Sequence, residues 1–502
     1  MGAIANLGAA FVRICTPQSL LFMIAGVAVG IIFGSIPGLS AAMAVALFLP
    51  LTFSMSASLG MNVLVAVYIG GISGGLISAI LLNMPGTASS IATTFDGYPM
   101  AQKGEAMRAL GFGIVFSFLG SVFSFIVLTF CAPVLADVCL KFGPVENFGI
   151  CFFALCMVAI LAGDNLPKGL LSGMLGLVFT FVGMAPIDGT ARFTFGNQTL
   201  LQGFDSLPTL IGIFAIADIL KTSEKMSAGA AETAEMKKVT GFGFSMKEFV
   251  SQLPNALRSA IIGTGIGILP GIGGSTSGML SYVAAKSMSK HPDEFGKGCP
   301  DGIVATECAN NATIGGAMIP LLVLGVPGDG VTAMMLGGFI IHGLSTGPLL
   351  FVNNGDVVYG IFAACMLCSL FMLLIEFFGI RFFVKLLSVP KHILLPCILV
   401  LCAVGAYATK SSYVDVKSIV LFGAVGYLYA KFGLSTTPFV LCFLLGGMTE
   451  TYLRRGLMMT RSGSFMEFFQ KPIFDVFFGI GCVVLVYFTL KAILPKKAKK
   501  AA

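Results

Sequence analysis

Between Arg13 and Asp96 the chain runs 82 residues without a formal charge. A bilayer core is crossed by about 20 apolar residues in a helix, so this one stretch holds several crossings. Uncharged stretches recur at 109–136, 259–285 and 330–355, each of 26 to 28 residues. Of the 502 residues, 56% are apolar and 11% charged; soluble domains carry about 25% charged residues. An ordinary soluble enzyme is excluded. The expected fold class is an all-α polytopic membrane protein with about 12–14 hydrophobic segments. The N-terminus has one basic residue, Arg13, and no small-residue cleavage site, and is expected to be a retained first span.

Charge and cysteine usage narrow the partners. The net charge of +7 is spread over loops and a short tail of Lys496, Lys497, Lys499 and Lys500. That pattern suits an anionic membrane lipid surface, and no nucleic acid partner is expected. The 13 cysteines are scattered through apolar runs, and three histidines are too few to complete zinc sites with them. Neither disulfides nor a metal centre is expected.

Apolar runs between breaks and charges mark segments near 20–34, 39–53, 60–83, 106–134, 147–163, 168–187 and 204–220. After a charged stretch they resume near 255–269, 272–286, 303–325, 330–346, 357–387, 392–409, 414–430, 437–453 and 474–494. Expected organisation is therefore a first transmembrane repeat over 1–220, a polar linker over 221–248, a second repeat over 249–455, and an extra helix with a basic tail over 456–502. The two halves share a register. Gly30, Gly34, Pro37 and Gly38 recur as Gly263, Gly267, Pro270 and Gly271, an offset of 233 at all four positions. Pro85 and Gly86 recur as Pro327 and Gly328 at an offset of 242.

A Pro-Gly pair inside an apolar run removes a backbone donor and admits non-helical geometry. In hydrocarbon the freed groups are tolerated only where they line a cavity or are buried in protein. Broken segments at matching places in two repeats therefore point to a transporter's binding site. The competing reading of any single break is close helix packing by small residues. Around the first pair of breaks, Pro37 and Pro270, stand Ser35, Gly38, Ser40, Gly271, Ser275 and Thr276, hard oxygen donors suited to a coupling cation such as Na⁺. Asp329 joins them as the one carboxylate, able to bind a cation or carry a proton. Around the second pair stand Asn83, Pro85, Gly86, Thr87, Ser89, Asn310, Asn311, Thr313, Pro327 and Gly328. Hydroxyls, amides and backbone N–H groups there suit an anionic substrate. Other carboxylates at apparent membrane depth are Asp164, Asp188, Asp205, Asp218, Glu307, Glu376 and Glu450, most of them expected at helix ends or interfaces.

The segments GSIPGLSAAMAVALFLPLTF, NMPGTASSIATTFDGYPMAQKGEAMRALG, GILPGIGGSTSGMLSYVAAK and ECANNATIGGAMIPLLVLGVPGDG resemble the large membrane subunit of tripartite tricarboxylate transporters, from about Gly26 to Glu450. The resemblance implies a bacterial inner-membrane secondary transporter that works with a small membrane subunit and a periplasmic solute-binding protein. Its cargo would be a carboxylate such as citrate, driven by a Na⁺ or H⁺ gradient. It needs no cofactor, and the chain has no GxxxxGK[ST] phosphate loop. Inverted-topology repeats with helical hairpins and elevator-like movement of 60–94 and 303–346 follow by analogy. The nearest rival is a stand-alone carboxylate/cation symporter. An ion channel is a second, although no filter-like repeat is evident. A more distant rival is an intramembrane serine protease, with Ser73 of a GxSG run as nucleophile and His342 as base.

Overall fold

The structure is a computed structural model that describes residues 2–161, 165–226, 243–386, 391–410 and 413–493. Most of the expected linker, Asp164 and the C-terminal lysines lie outside the described residues. In chain order the helices are α1 (Ala3–Ile14), α2 (Pro17–Ser35), α3 (Ala41–Thr52), α4 (Ala57–Leu82), α5 (Thr94–Gln102), α6 (Ala106–Cys139), α7 (Pro144–Cys156), α8 (Val158–Leu161), α9 (Leu166–Thr180), α10 (Ser206–Leu210), α11 (Ala217–Met226), α12 (Met246–Ile268), α13 (Gly273–Met288), α14 (Pro300–Leu324), α15 (Gly330–Ile341), α16 (Pro348–Asn353), α17 (Gly355–Leu386), α18 (Lys391–Lys410), α19 (Tyr413–Phe432), α20 (Thr436–Met459) and α21 (Pro472–Ile493). A π turn, Ile211–Ile216, makes α10 and α11 one continuous helix. The strands described are a short antiparallel hairpin of β1 (Gly183–Met184) and β2 (Ala191–Arg192). The chain is an all-α polytopic membrane protein. Seven described helices are long and apolar enough to cross a membrane, and six shorter ones are apolar.

Helix is the form these apolar runs take because it satisfies every backbone group within the segment. Their ends follow local chemistry. Ser40, Ser56 and Ser245 each accept a backbone N–H of the first turn of α3, α4 and α12. Pro37 and Gly38 stop α2 and restart the chain as α3, and Pro270 and Gly271 do the same between α12 and α13. Helices α3 and α15 have only 12 residues each. They span about 18 Å, short of the ~30 Å hydrocarbon core, and so are half-helices that end at a turn inside the protein. The described ends of the expected linker are helical: α11 runs on to Met226, with Lys221 paired to Asp218 at 2.9 Å, and α12 begins at Met246.

Two compact units emerge, residues 1–140 with 207–427, and 141–206 with 428–502. Each draws on both halves of the sequence. The first unit is built around α4 and α14, which are buried from Gly60 to Leu81 and from Gly302 to Val323. A helix apolar on all sides is one that other protein surrounds. The packing of α2 on α4 is repeated by α12 on α14. A methyl group on Gly30 would collide with the Val67 carbonyl, and one on Gly34 with the Gly71 carbonyl. At Gly263 and Gly267 the obstacles are the carbonyls of Ala309 and Thr313. The glycines differ by 233 and their partners by 242, the same two offsets that relate the Pro-Gly breaks.

The second unit is held differently. Arg192 grips Glu450 with both guanidinium nitrogens, at 2.8 and 3.1 Å, and Arg454 bridges Glu450 and Asp188 at 3.0 and 2.8 Å. Phe148, Phe468 and Phe474 form its buried aromatic core.

Candidate functional site

The four breaks meet in pairs within the first unit. In the first half, Gly38 takes a left-handed φ of +95° and its carbonyl accepts the Thr222 hydroxyl at 3.2 Å. Gly86 lies so close to the end of α2 that a methyl group there would strike the Gly34 carbonyl. In the second half, Gly271 has φ +79° and donates its N–H to the Gly328 carbonyl at 2.7 Å. A methyl on Gly328 would lie 2.9 Å from the Gly267 carbonyl, the equivalent of the Gly86 contact. Pro37, Pro270 and Pro327 are buried and Pro85 is exposed.

Beyond each second break the chain turns on a capping residue. Thr87 donates its N–H to Ser90 Oγ at 3.3 Å, opening a single 3₁₀ turn, Ala88–Ser90. Asp329, 242 residues on, donates its N–H to Thr332 Oγ1 at 2.8 Å and accepts the Thr332 N–H at 2.7 Å, which starts α15. Its second carboxylate oxygen accepts the Tyr68 hydroxyl of α4 at 2.6 Å. Tyr68 was not among the sequence candidates; it lies outside the Pro-Gly motifs, and no spacing pointed to it.

The tip after α4 faces the start of α13 and the middle of α14. A methyl on Gly274 would collide with Asn310 Oδ1 and lie 3.0 Å from Ser89 Cβ. One on Gly273 would lie 3.4 Å from Asp329 Cβ. Helix α13 opens without a side-chain cap, so its first N–H groups keep their donor capacity. Asn310 is 1% exposed, and among the described residues neither end of its carboxamide has a hydrogen-bond partner. An unpaired buried amide beside an uncapped helix N-terminus is an incomplete structure, the kind an anionic ligand completes.

Ser89, Thr87, Asn310, Gly271, Gly328 and Asp329 are thus brought together. Thr313 is one turn deeper, 2.6 Å from the Ser277 hydroxyl. Asn311 points away toward α6, donating to Ser117 Oγ at 2.8 Å. Asn83 is exposed and serves as the left-handed terminus of α4, with φ 53° and ψ 26°. Ser35 returns its hydroxyl to the Ile32 carbonyl at 3.0 Å, and Ser40 caps α3. Ser275 and Thr276 lie on the exposed side of α13, while Ser277 turns inward.

Two carboxylates differ from expectation. Glu307 and Glu376 are not at helix ends or interfaces; each lies mid-helix at 0% exposure. Helix periodicity puts them on inward faces, which a search for loops and prolines does not detect. Asp96 has its own role: one carboxylate oxygen accepts the N–H groups of Gly296, Gly298 and Cys299 at 2.8–2.9 Å, and the other accepts the Tyr282 hydroxyl. The Ser73–His342 pairing is not formed. Ser73 donates to Glu376 at 3.0 Å, and His342 lies against Thr52 at 3.2 Å.

The family model described as the tripartite tricarboxylate transporter TctA family matches residues 20–441. An uncharacterized 52.8 kDa protein in the TAR-I ttuC' 3'region of Agrobacterium vitis is 34% identical over 499 residues, 99% of either chain. A second uncharacterized protein, in the TAR-II ttuC' 3'region of the same organism, is 33% identical over 235 residues, 47% of this chain and 97% of its own. No solved structure matches.

Proposed function

This chain belongs to the tripartite tricarboxylate transporter TctA family, and from that premise we propose that it imports a di- or tricarboxylate such as citrate across the bacterial inner membrane. It would do so as the large subunit of a secondary transporter, with a small membrane subunit and a periplasmic solute-binding protein, driven by a Na⁺ or H⁺ gradient. The observation that carries the reading is the seat between Ser89, the N-terminal turn of α13 and the unpartnered Asn310 carboxamide. One carboxylate of the substrate takes the α13 N–H groups and the Asn310 amide. The seat has no Lys or Arg, so the remaining substrate charge is offset by the coupling ion. Tyr68 of α4 bonds Asp329 at the start of α15, and Thr93 beyond the α4 tip bonds Glu307 of α14, so α4 with its tip and α14 with α15 are proposed to move as one body, carrying the seat across in an elevator-like step.

The test is uptake of a labelled carboxylate panel into proteoliposomes, with solute-binding protein, Na⁺ gradient and pH gradient varied separately. Saturable uptake that requires the binding protein is expected. Uptake that survives its omission would make the chain a stand-alone symporter, and absence of uptake for every carboxylate would refute the substrate class. Asn310→Ala should weaken apparent substrate affinity about tenfold, the loss of roughly one charge-assisted hydrogen bond. An unchanged affinity would remove Asn310 from the seat.

A further inference from the structure

Among the described residues, Glu307 on α14 and Glu376 on α17 are the carboxyls at 0% exposure, and the seat uses neither. Among the described residues neither is in an ion pair, and their surroundings are unequal. Glu307 accepts from the Thr93 hydroxyl, from Ser117 Oγ at 3.3 Å and from the Asn311 amide at 3.5 Å. Glu376 accepts from Ser73 alone, at 3.0 Å, and its other oxygen has no partner. A buried carboxylate without a cation is costly, and a proton is the simplest relief. Three donors make an ionised Glu307 tolerable for part of a cycle; a single donor does not do this for Glu376.

The position of Glu307 ties it to the seat. Asn310 follows it by three residues on α14, one helical turn, and Thr93 follows Ser90, the end of the 3₁₀ turn that carries Ser89. Thr93 also reaches the Thr306 hydroxyl at 3.3 Å. The charge on Glu307 therefore acts on both walls of the seat: when ionised, it holds the Thr93 hydroxyl and the tip against α14. When protonated, it keeps only a neutral hydrogen bond to Thr93, and that hold weakens.

We propose that Glu307 is the proton-carrying carboxyl of this transporter, loaded together with the substrate anion, while Glu376 stays protonated throughout and takes no part in transfer. Loading is the addition of one aqueous proton to the Glu307 carboxylate, and unloading its return to water on the other side. The polar atoms of this cluster are already in direct hydrogen-bond contact, Asn311 Nδ2 donating to Ser117 Oγ at 2.8 Å among them. A proton enters without parting them; a sodium ion does not.

The other ionisable groups on the packed elements are engaged elsewhere. Asp96 of α5 and Tyr282 of α13 bond each other, Tyr68 of α4 bonds Asp329, and Arg108 of α6 pairs with Glu105 and with Glu248 of α12. Arg258 of α12 bonds Asn255, and the Cys308 thiol donates to the Ala256 carbonyl. Lys286 of α13 is exposed, and Cys131, Asp137 and Cys139 lie at the far end of α6 from Ser117. On α17, Cys365 and Cys368 are buried more than two turns before Glu376, and Asp356 and Arg381 lie toward its two ends.

The proposal rests on the carboxylate-transport reading, so its test has a readout that needs no transport. In purified full-length protein, infrared spectra stepped from acid to alkaline pH should show two buried protonated carboxyls, one of which ionises reversibly. Glu307→Gln should remove the ionising band and Glu376→Gln the persistent one. In proteoliposomes Glu307→Gln should keep substrate counterflow and lose acceleration by a pH gradient at least tenfold, while Glu376→Gln keeps it. Acceleration retained in Glu307→Gln, an ionising band that belongs to Glu376, or wild-type uptake that follows Na⁺ and ignores pH would each overturn the assignment. If Glu307→Gln does not insert, Glu307→Asp is read instead, and an unshifted ionising band in it counts against the proposal. Wild-type protein that moves no carboxylate but shows the two bands defeats the transport reading and leaves the proton site standing.

Discussion

At the end of α4 the chain leaves the helix through Asn83 and turns at Thr87; at the end of α14 it leaves through Gly325 and turns at Asp329. The geometry is shared. Both termini are left-handed, with φ of 53° and 72°, and in both the following N–H reaches back to an equivalent carbonyl, Ser78 or Pro320, at 3.4 and 3.1 Å. The outcome is not shared. Thr87 turns its hydroxyl to those of Ser89 and Ser90 and caps no backbone N–H, and a single 3₁₀ turn follows it, whereas the Asp329 carboxylate accepts the Thr332 N–H at the start of a 12-residue helix and takes a further bond from Tyr68. A carboxylate is a stronger acceptor than a hydroxyl and favours a helix N-terminus electrostatically, so the tip with Asp329 has a capped helix and the tip with Thr87 does not. The short tip is the one that presents Ser89 to the seat.

Breaking the shared part should have the largest effect. Gly30→Leu and Gly263→Leu each drive a side chain into a backbone carbonyl, which no rotamer change relieves. Each should lose about 3 kcal/mol or more of stability and nearly all folded protein, read by size-exclusion recovery and thermal unfolding in detergent. If only one of the pair is destructive, the two helix packings are not equivalent.

The unshared part should give a smaller, unequal response. Asp329→Ala removes a cap and the Tyr68 partner and should cost about 2 kcal/mol; Thr87→Ala removes only hydroxyl contacts to Ser89 and Ser90 and should cost about 1 kcal/mol or less. Paired unfolding midpoints measure this, and equal losses would mean that the charge difference between the tips is without consequence. The smallest effect lies away from both tips. Arg454 beside Asp188 holds that exposed carboxyl down at about 2, from an ordinary 3.8. A lowered folded-state value stabilises above the ordinary value and fades as pH falls toward about 2. Arg454→Gln should blunt acid sensitivity of unfolding in that window and leave the Asp329/Thr87 difference at neutral pH untouched.

The two offsets, 233 and 242, made the breaks legible in the sequence, because proline and glycine carry backbone geometry in their identity. Helix bounds followed from apolar runs for the same reason. The site was legible only in part. Asn83 looked like a ligand because it is polar and next to a break, yet its place is a left-handed cap that asparagine tolerates without strain. Asn310 and Asn311 are neighbours in sequence but about 100° apart around α14, so one meets the seat and the other meets Ser117. Tyr68 carries no local signal, and Glu307 stands out only as a carboxylate at membrane depth; the packing of distant helices gives both their partners.

The hydrogen bond from Gly271 to Gly328 involves no side chain. A joint written in main-chain atoms is indifferent to the side chains around it, so substitution of Ser89 or Asn310 should leave this contact between the two breaks of the second half in place.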